Sequence, residues 1–341
     1  MTDTMQRIVL ASRPEGAPAH VNFRLEDTPL PEPGDGEVLV RVHYLSLDPY
    51  MRGRMDDAKS YAKPVEVGQT MEGGAVGEVI ASNSDLFKPG EFAFGMFGWA
   101  SHGVLPAKAL QKLSPDLAPI STALGVLGMP GLTAWHGLTS IGKPQHGETL
   151  VVAAATGPVG SMVGQLAKAR GLRAVGIAGG PEKCRLAVET FGFDACLDHR
   201  AHPDAASLRE ALAAECPDGI DIYFENVGGK VLESVLPLMN VGGRIPLCGM
   251  IAWYSGADLG DRNLLPAAWR AILVKRLLVQ GFIIFDAYHR LPDFLEEVAP
   301  KVASGEVSYL EDITEGLENA PDAFMAMLKG GNTGKTVVKL V

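Results

Sequence analysis

The sequence predicts an α/β protein with two domains, one β-rich and one built as a doubly wound parallel sheet. Three observations support this class. The length of 341 residues is more than one compact core usually contains. Up to about residue 120 the chain is rich in short apolar segments and turns. From Glu148 onward, apolar strands alternate with helices of ten to fifteen residues, the pattern of repeated strand–helix–strand units.

The composition limits the class of protein further. A hydrophobic fraction of 47% and a charged fraction of 21% are typical of a folded globular chain. The net charge of −10 argues against a nucleic-acid partner, because phosphate binding normally needs a basic surface. The N-terminus lacks the apolar region of a signal peptide, and the apolar stretch Ile272–Phe285 is too short and too charged to cross a bilayer. The four cysteines form no CxxC pair, which favours reduced thiols. We therefore expect a cytoplasmic protein with no membrane partner.

Residues 1–122 form the first part of the β-rich domain, in which Glu37–Leu47 and Gly73–Ser82 are the clearest strands. Residues 123–290 form the parallel-sheet domain. Its first strand is ETLVVAAA, its last is predicted at Leu277–Phe285, and strand–helix pairs lie between them. Residues 291–341 are predicted to return to the β-rich domain, because the final strand KTVVKLV is followed by no helix.

The turn after the first parallel strand reads VVAAATGPVGSMVG, residues 151–164. In a dinucleotide-binding fold this turn brings backbone N–H groups and a helix N-terminus against a pyrophosphate. We expect Gly157 to permit the tight turn, Gly160 to allow the close approach of the phosphate, and Gly164 to let the helix lie on the strand. The predicted contacts are Thr156, Gly157, Pro158, Val159 and Gly160.

The end of the second strand indicates which dinucleotide binds. An NAD site places an acidic residue there for the ribose hydroxyls. This chain has Ala178, Gly179 and Gly180 instead, and Lys183 follows in the first turn of the next helix. A small residue with a cation suits the 2′-phosphate of NADP(H), which an acid would repel. The alternative is that Lys183 is only a solvated helix charge.

Several longer motifs resemble the medium-chain dehydrogenase/reductase superfamily. They are AAATGPVGSMVGQLAKARG, GLTAWHGL and YFENVGG. LSLDPYMRGRM, LGMPGLTAW, CGMIAWY and LKGGNTGKTVVKL are similar to its zinc-free branch, which contains prostaglandin, plant double-bond and curcumin reductases. The resemblance covers essentially the whole chain. It implies a GroES-like catalytic domain, a Rossmann domain and an active site in the cleft between them.

The zinc-containing relatives provide a negative test. Catalytic zinc needs cysteine and histidine ligands, and structural zinc needs clustered cysteines. No cysteine precedes Cys184, and Thr70-Met71-Glu72 stands where zinc members begin a loop with Gly-His-Glu. His43 and His102 remain, without thiolates, so we expect metal-free chemistry.

Within the resemblance, metal-free chemistry implies hydride addition to the β-carbon of an α,β-unsaturated carbonyl. The protein must then supply a hydrogen-bond donor to the oxygen on which charge builds. The candidate catalytic donors are Tyr254, Tyr50 and Tyr61, each with a purely structural tyrosine as the alternative. Mammalian relatives carry another tyrosine near the final Rossmann strand, where this chain has Val274. That difference shifts weight to Tyr50 and Tyr254.

The resemblance also implies further cofactor contacts. They are Asn226, Cys248, Gly249, Met250, Tyr254, Phe282, Ile283, Ile284 and Asn332. Gly180 and Lys183 are predicted contacts from the end of the second strand. His199 stands where the family often has a tyrosine, and it either stacks near the adenosine or has no role. Asn226 and Asn332 have an alternative role as turn residues beside glycine.

The sequence therefore predicts an NADPH-dependent reductase of alkenals and alkenones, with a homodimer formed through the final Rossmann strand. Two alternatives stay open, a quinone oxidoreductase of the same superfamily and a non-catalytic NADPH-binding protein. The substrate is expected to be selected by loops such as Trp253–Pro266.

Overall fold

The computed structural model describes residues 4–256 and 264–341, where the chain forms two compact units. The first unit combines Met1–Gly125 with Glu311–Val341, and the second is Val126–Leu310. Of the predicted substrate loop Trp253–Pro266, residues 257–263 lie outside the described residues.

The strands of the described chain fall into one two-stranded, one six-stranded and one seven-stranded sheet. They are β1 (Thr4–Leu10), β2 (Phe23–Pro29), β3 (Glu37–Ser46), β4 (Ala75–Ser82), β5 (Phe92–Gly95), β6 (His102–Pro106), β7 (Gln111–Leu113), β8 (Thr149–Ala153), β9 (Arg173–Ala178), β10 (Ala195–Asp198), β11 (Ile220–Phe224), β12 (Met239–Leu247), β13 (Leu278–Gly281), β14 (Glu311–Glu315) and β15 (Lys335–Lys339).

Most helices belong to the second unit and lie between its strands along the chain. The helices are α1 (Met51–Arg54), α2 (Met129–His136), α3 (Pro158–Ala169), α4 (Pro181–Glu189), α5 (Ala205–Glu215), α6 (Gly229–Val235), α7 (Leu265–Lys275), α8 (Leu291–Ala303) and α9 (Ala320–Leu328). None of the helices in the described ranges is long and apolar enough to cross a membrane.

The first unit is a β-rich domain. Its larger sheet has the order β14-β15-β3-β4-β5-β7, and β6 pairs with β3 outside that path. The C-terminal strand β15 runs parallel to β14 and antiparallel to β3. Its core includes the fully buried Trp99, whose ring stacks on Phe23 at 5.6 Å and meets Phe324 edge-on at 5.4 Å.

The second unit is built on a six-stranded parallel sheet with the order β10-β9-β8-β11-β12-β13. Counted along the chain this is 3-2-1-4-5-6, the order of the doubly wound dinucleotide fold. The central strand β8 is buried on both faces, as its unbroken apolar sequence requires. The predicted fold class, a β-rich domain with a Rossmann-type domain, is confirmed.

The structure differs from the sequence prediction in two places. The second unit continues to Leu310 rather than ending at residue 290, because α8 buries Phe294 and Val298 in its core. Trp135 of α2 also donates from Nε1 to Glu297 Oε2 of α8 at 2.6 Å. The last parallel strand ends at Gly281 rather than Phe285, because the chain turns into a short helical segment that buries Ile284.

Candidate functional site

The turn between β8 and α3 lies at the carboxyl edge of the parallel sheet. Ala154 adopts a left-handed conformation with φ of 55°, and its carbonyl accepts from Gly157 N at 3.0 Å. Pro158 then begins α3, with Gly157 as the N-cap and Thr156 buried behind the turn. The first turn of a twelve-residue helix therefore follows the central strand directly, and its unpaired N–H groups suit an anion.

Two glycines of this turn have packing reasons in addition to the roles that the sequence predicts. A Cβ at Gly160 would lie 2.2 Å from the carbonyl oxygen of Ala154, so the backbone of the chain itself excludes a side chain there. A Cβ at Gly164 would lie 2.0 Å from the ring of Phe193, which precedes β10. At Gly157 the nearest atom would be Ala154 O at 3.4 Å, an ordinary contact. Intramolecular packing thus explains Gly160 and Gly164 but not Gly157.

Basic side chains surround the ends of β9 and β10. A Cβ at Gly179 would lie 2.9 Å from Arg200 Nε and 3.0 Å from His199 Nε2, so these two groups lie directly over the glycine. Gly180 has a φ of 103°, and a Cβ there would meet nothing within 4 Å. Lys183 is half-buried in the first turn of α4 and close enough to His199 to lower its pKa. The edge carries positive charge where an NAD-type acid would otherwise stand.

The loop after β10 is held by hydrogen bonds. Asp198 Oδ1 accepts from the N–H of Gly180 at 2.7 Å and from that of Arg200 at 2.8 Å. Lys230 Nζ donates to the carbonyl of His199 at 2.8 Å. Burial, followed by the charges of Lys230 and Arg200, holds the pKa of His199 below its ordinary value. The His199 ring is therefore neutral at pH 7 and suited to stacking rather than charge pairing.

The ends of β11 and β12 meet beside the first turn. Asn226 Nδ2 donates to the carbonyl of Ala153 at 2.9 Å, which joins the end of β11 to the end of β8. Cys248 and Gly249 follow β12, and both donate their N–H to the carbonyl of Glu225, at 2.9 and 3.1 Å. Burial, with a smaller contribution from Glu225, raises the pKa of Cys248 to about 12. This cysteine is a neutral thiol rather than a nucleophile.

Tyr254 follows a short helical turn after β12. Its hydroxyl accepts from Met250 N at 3.3 Å, and a Cβ at Gly249 would lie 3.0 Å from the same hydroxyl. Gly249 therefore leaves space that the tyrosine hydroxyl occupies. Tyr254 is partly exposed and lies at the carboxyl edge of the sheet.

The residues after β13 are used mainly in packing. Phe282 meets Phe224 edge-on at 6.4 Å and lies 5.7 Å from His136 between ring centroids. Ile284 is buried in the same core and Ile283 is half-buried.

The other predicted residues belong to the first unit. Tyr50 precedes α1, and burial raises its pKa well above the ordinary value, with Asp48 and Glu72 raising it further. Tyr61 is 52% exposed, and its ring covers the guanidinium of the buried Arg54 at 4.3 Å. Arg54 in turn donates from Nε to Glu72 at 2.7 Å.

A buried lysine holds the chain segment that precedes Tyr50. Lys335 Nζ of β15 donates to Asp48 Oδ1 at 2.9 Å and to the carbonyl of Leu47. Asn332, a predicted cofactor contact, donates from Nδ2 to Gly334 O at 2.9 Å and so closes its own turn.

The matches to known families cover both units. The family model described as "N-terminal domain of oxidoreductase" matches residues 6–113. The model described as "Zinc-binding dehydrogenase" matches residues 158–300. The chain belongs to the medium-chain dehydrogenase/reductase superfamily.

Similar members of the superfamily place the chain in the branch of curcumin, alkenal and prostaglandin reductases. The "NADPH-dependent curcumin reductase" of Escherichia coli is 51% identical over 98% of this chain and 96% of its own. The "2-alkenal reductase (NADP(+)-dependent)" of Nicotiana tabacum is 40% identical over 98% and 96%. The solved structure of CurA in complex with NADPH, from Vibrio vulnificus, has a TM-score of 0.94 at 51% identity and covers 98% of this chain and 99% of that one.

The zinc in the description of the second family model does not fit this medium-chain reductase. No three His, Cys, Asp or Glu side chains in the described ranges are grouped as a metal site. Glu72 is paired with Arg54, and His102 Nδ1 lies 3.0 Å from Ser101 Oγ.

Three side chains of this reductase escaped the sequence analysis. They are Arg54, Arg200 and Glu225. Arg54 depends on a partner eighteen positions away, and Arg200 lies over a glycine of a different strand, so neither has a local signal. Glu225 did have a local signal in the sequence. An acid that directly follows a buried strand, three residues before a pair of glycines, is unusual.

Proposed function

We propose that this protein reduces the C=C bond of α,β-unsaturated ketones and aldehydes with NADPH. The observation that carries the proposal is the full-length likeness to an NADPH-dependent curcumin reductase. A likeness of this kind over both units extends to the cofactor-binding and substrate-binding parts of the chain alike.

The residues present fit NADPH. The first turn of α3 offers backbone N–H groups for the pyrophosphate. Intramolecular packing leaves room for a side chain at Gly157, so a glycine at this position is consistent with close approach of the phosphate. Lys183 and Arg200 are the candidate partners of the 2′-phosphate, for which charge-assisted hydrogen bonds are the strongest available. Arg200 and His199 lie over Gly179, at 2.9 and 3.0 Å from where its Cβ would be, so a cation rather than an acid stands beside the end of β9.

Bound NADPH supplies a hydride to the β-carbon of the substrate. The task of the chain is to orient the enone and to donate a hydrogen bond to its carbonyl oxygen, where negative charge develops. A proton from a tyrosine hydroxyl or from the ribose hydroxyl of the cofactor must then reach the α-carbon to complete the reduction. We assign this donation to the hydroxyl of Tyr254, with Tyr50 as the second candidate. Tyr50 is protonated at neutral pH, as an ordinary tyrosine already is, and its raised pKa extends that donor state to higher pH. Tyr61 is a third candidate, whose exposed ring is supported from behind by Arg54.

Incubation with NADPH and 3-nonen-2-one, followed through the nicotinamide absorbance, tests the proposal. Consumption of NADPH with formation of the saturated ketone is expected. A quinone in a parallel assay tests the alternative oxidoreductase activity. Binding of NADPH without turnover of either substrate would identify a non-catalytic cofactor-binding protein and refute the proposal.

We further propose that the protein is a homodimer in the cytoplasm. The edge strand β13 exposes all four of its residues. Beside it along the chain, α7 exposes Trp269 by 62% and Leu273 by 77%. An apolar edge of this kind is normally covered, because an uncovered one promotes aggregation.

A further inference from the structure

Glu225 is a buried acid that the proposed chemistry does not use. It directly follows β11 and is only 1% exposed. Its Oε1 accepts two backbone hydrogen bonds, from Val227 N at 2.6 Å and from Gly228 N at 2.9 Å. Its Oε2 is buried as well. Burial raises the pKa of the carboxyl overall, although the hydroxyl of the fully buried Tyr223 interacts with the carboxyl and lowers that pKa. A buried carboxyl is costly unless its contacts offset the loss of water, so its position needs an explanation.

The backbone of Glu225 joins the ends of two strands. Its N–H donates to Pro246 O at 3.0 Å. Its carbonyl accepts from Cys248 N at 2.9 Å and Gly249 N at 3.1 Å. The same residue therefore fixes the end of β11 through its side chain and the end of β12 through its main chain.

The turn held by the Glu225 side chain supports the segment that carries Tyr254. The carbonyls of Asn226 and Val227 accept from Ile251 N at 3.2 Å and Ala252 N at 3.0 Å. A Cβ at Gly228 would lie 2.6 Å from the Trp253 ring. A shift of the turn after β11 would therefore be transmitted to the helical turn that precedes Tyr254.

The turn itself combines two glycines with the Glu225 carboxyl. Gly228 and Gly229 both have positive φ, of 79° and 54°, so two successive residues lie in the left-handed region. Two N–H groups converge on one carboxyl oxygen and stabilise this arrangement. If the acceptor is removed, both N–H groups lose their partner in a buried place.

We call the Asn226, Cys248–Gly249 and Tyr254 segments the nicotinamide half of the predicted cofactor site. We propose that Glu225 is a positioning residue for this half, because it holds the three segments in one arrangement. This inference rests on the proposed function. The adenosine half, formed around Gly180, Lys183 and Arg200, has no hydrogen bond to the Glu225 side chain among the contacts described above.

A comparison of two nucleotides separates this role from a general loss of stability. NADPH reaches both halves of the site, whereas 2′,5′-ADP carries only the adenosine half with its 2′-phosphate. Binding of each is measured by calorimetry on the parent protein, Glu225→Ala and Glu225→Gln. We expect Glu225→Ala to weaken NADPH at least tenfold and 2′,5′-ADP by less than about twofold. Glu225→Gln keeps an acceptor oxygen for Val227 and Gly228, so it should retain NADPH affinity within about threefold.

Glu297→Ala is the matched control. This carboxylate also accepts two hydrogen bonds in the second unit, from Trp135 Nε1 and Arg170, both at 2.6 Å. Neither bond involves the loops that Glu225 holds. We expect it to lower the melting temperature and to leave the ratio of the two affinities unchanged. If Glu225→Ala does not fold, Glu225→Asp replaces it, because the shorter side chain keeps the charge but not the reach.

The outcomes are distinct. Equal weakening of both nucleotides by Glu225→Ala, or unchanged NADPH binding, would refute the positioning role and leave the proposed function intact. Failure of the parent protein to bind either nucleotide would refute the proposed function and this inference together.

Discussion

The two glycines at the start of α3 offer a matched pair of alanine substitutions. A methyl group at position 157 would make only an ordinary 3.4 Å contact with Ala154 O, and the φ of −74° is acceptable to alanine. Gly157→Ala should therefore reduce the free energy of unfolding by about 1 kcal/mol or less, since alanine is a poorer N-cap than glycine. At position 160 the same methyl would lie 2.2 Å from Ala154 O and 2.8 Å from its carbonyl carbon. Gly160→Ala should cost about 1–3 kcal/mol or more.

These costs correspond to different measurements. For a domain of this size each kcal/mol lowers the melting temperature by about 2–4 °C. Calorimetry without ligand should thus show a small shift for Gly157→Ala and a clear one for Gly160→Ala. The affinity for NADPH, in contrast, should be strongly affected by the substitution at position 157. If the pyrophosphate lies against Gly157, the methyl displaces it from one or more charge-assisted hydrogen bonds, each contributing about 1.5–3 kcal/mol. NADPH should then bind Gly157→Ala about ten- to a hundredfold more weakly.

A Gly157→Ala protein that binds NADPH as tightly as the parent does would contradict the predicted contact between the pyrophosphate and Gly157. That result would mean that the phosphate does not approach this turn and that Gly157 has no functional reason to be glycine. A Gly160→Ala protein as stable as the parent would show instead that the Ala154 carbonyl moves away at little cost.

Four further predictions concern the cofactor, the metal, the assembly and the chemistry. Lys183→Ala should weaken NADPH about ten- to a hundredfold and leave NADH unchanged, because only NADPH carries the 2′-phosphate; equal weakening of both in a titration would exclude that role. Activity should survive prolonged chelation, and elemental analysis should find no stoichiometric zinc. Light scattering should give a dimer, and Trp269→Glu should shift it towards monomer; a monomeric parent would contradict the assembly proposal. Tyr254→Phe should lower kcat about ten- to a hundredfold and keep the affinity for NADPH within about threefold. A lone oxyanion donor contributes about 2.7–4 kcal/mol, and the loss is smaller here because Tyr50 is expected to share the charge. Tyr50→Phe should lower kcat less, and full kcat in both variants would show that the tyrosines are structural.

The alternation of strands and helices was sufficient to predict the second unit, because a right-handed crossover after each parallel strand leaves few possible orders. The predicted strands ETLVVAAA and KTVVKLV contain β8 and β15. Residues 291–310 were predicted to belong to the β-rich domain, but they belong to the second unit, where residues 291–303 form α8. Its apolar face packs on α2, more than a hundred residues earlier, and no local pattern indicates that partner.

The candidate site was predictable where one residue type must stand at one place. The glycine turn and the missing acid after β9 are of this kind. The reasons for the glycines were not predictable, since Gly164 is required by Phe193 and Gly160 by the Ala154 carbonyl. Arg200 and Glu225 act through neighbours that only the fold brings near, so their contribution had to come from the structure.

The position of β15 has a consequence for biosynthesis. This strand lies between β14 and β3 in the larger sheet of the first unit, where Val337 pairs with Ser46. All residues of the second unit have been synthesised once Leu310 is translated. The first unit cannot complete its larger sheet until β15 has been translated. During synthesis the N-terminal half of that sheet, including the apolar edge of β3, has no C-terminal strand beside it and must be kept from pairing elsewhere. A nascent chain arrested before Lys335 should therefore hold a folded nucleotide domain tethered to an open, chaperone-dependent sheet.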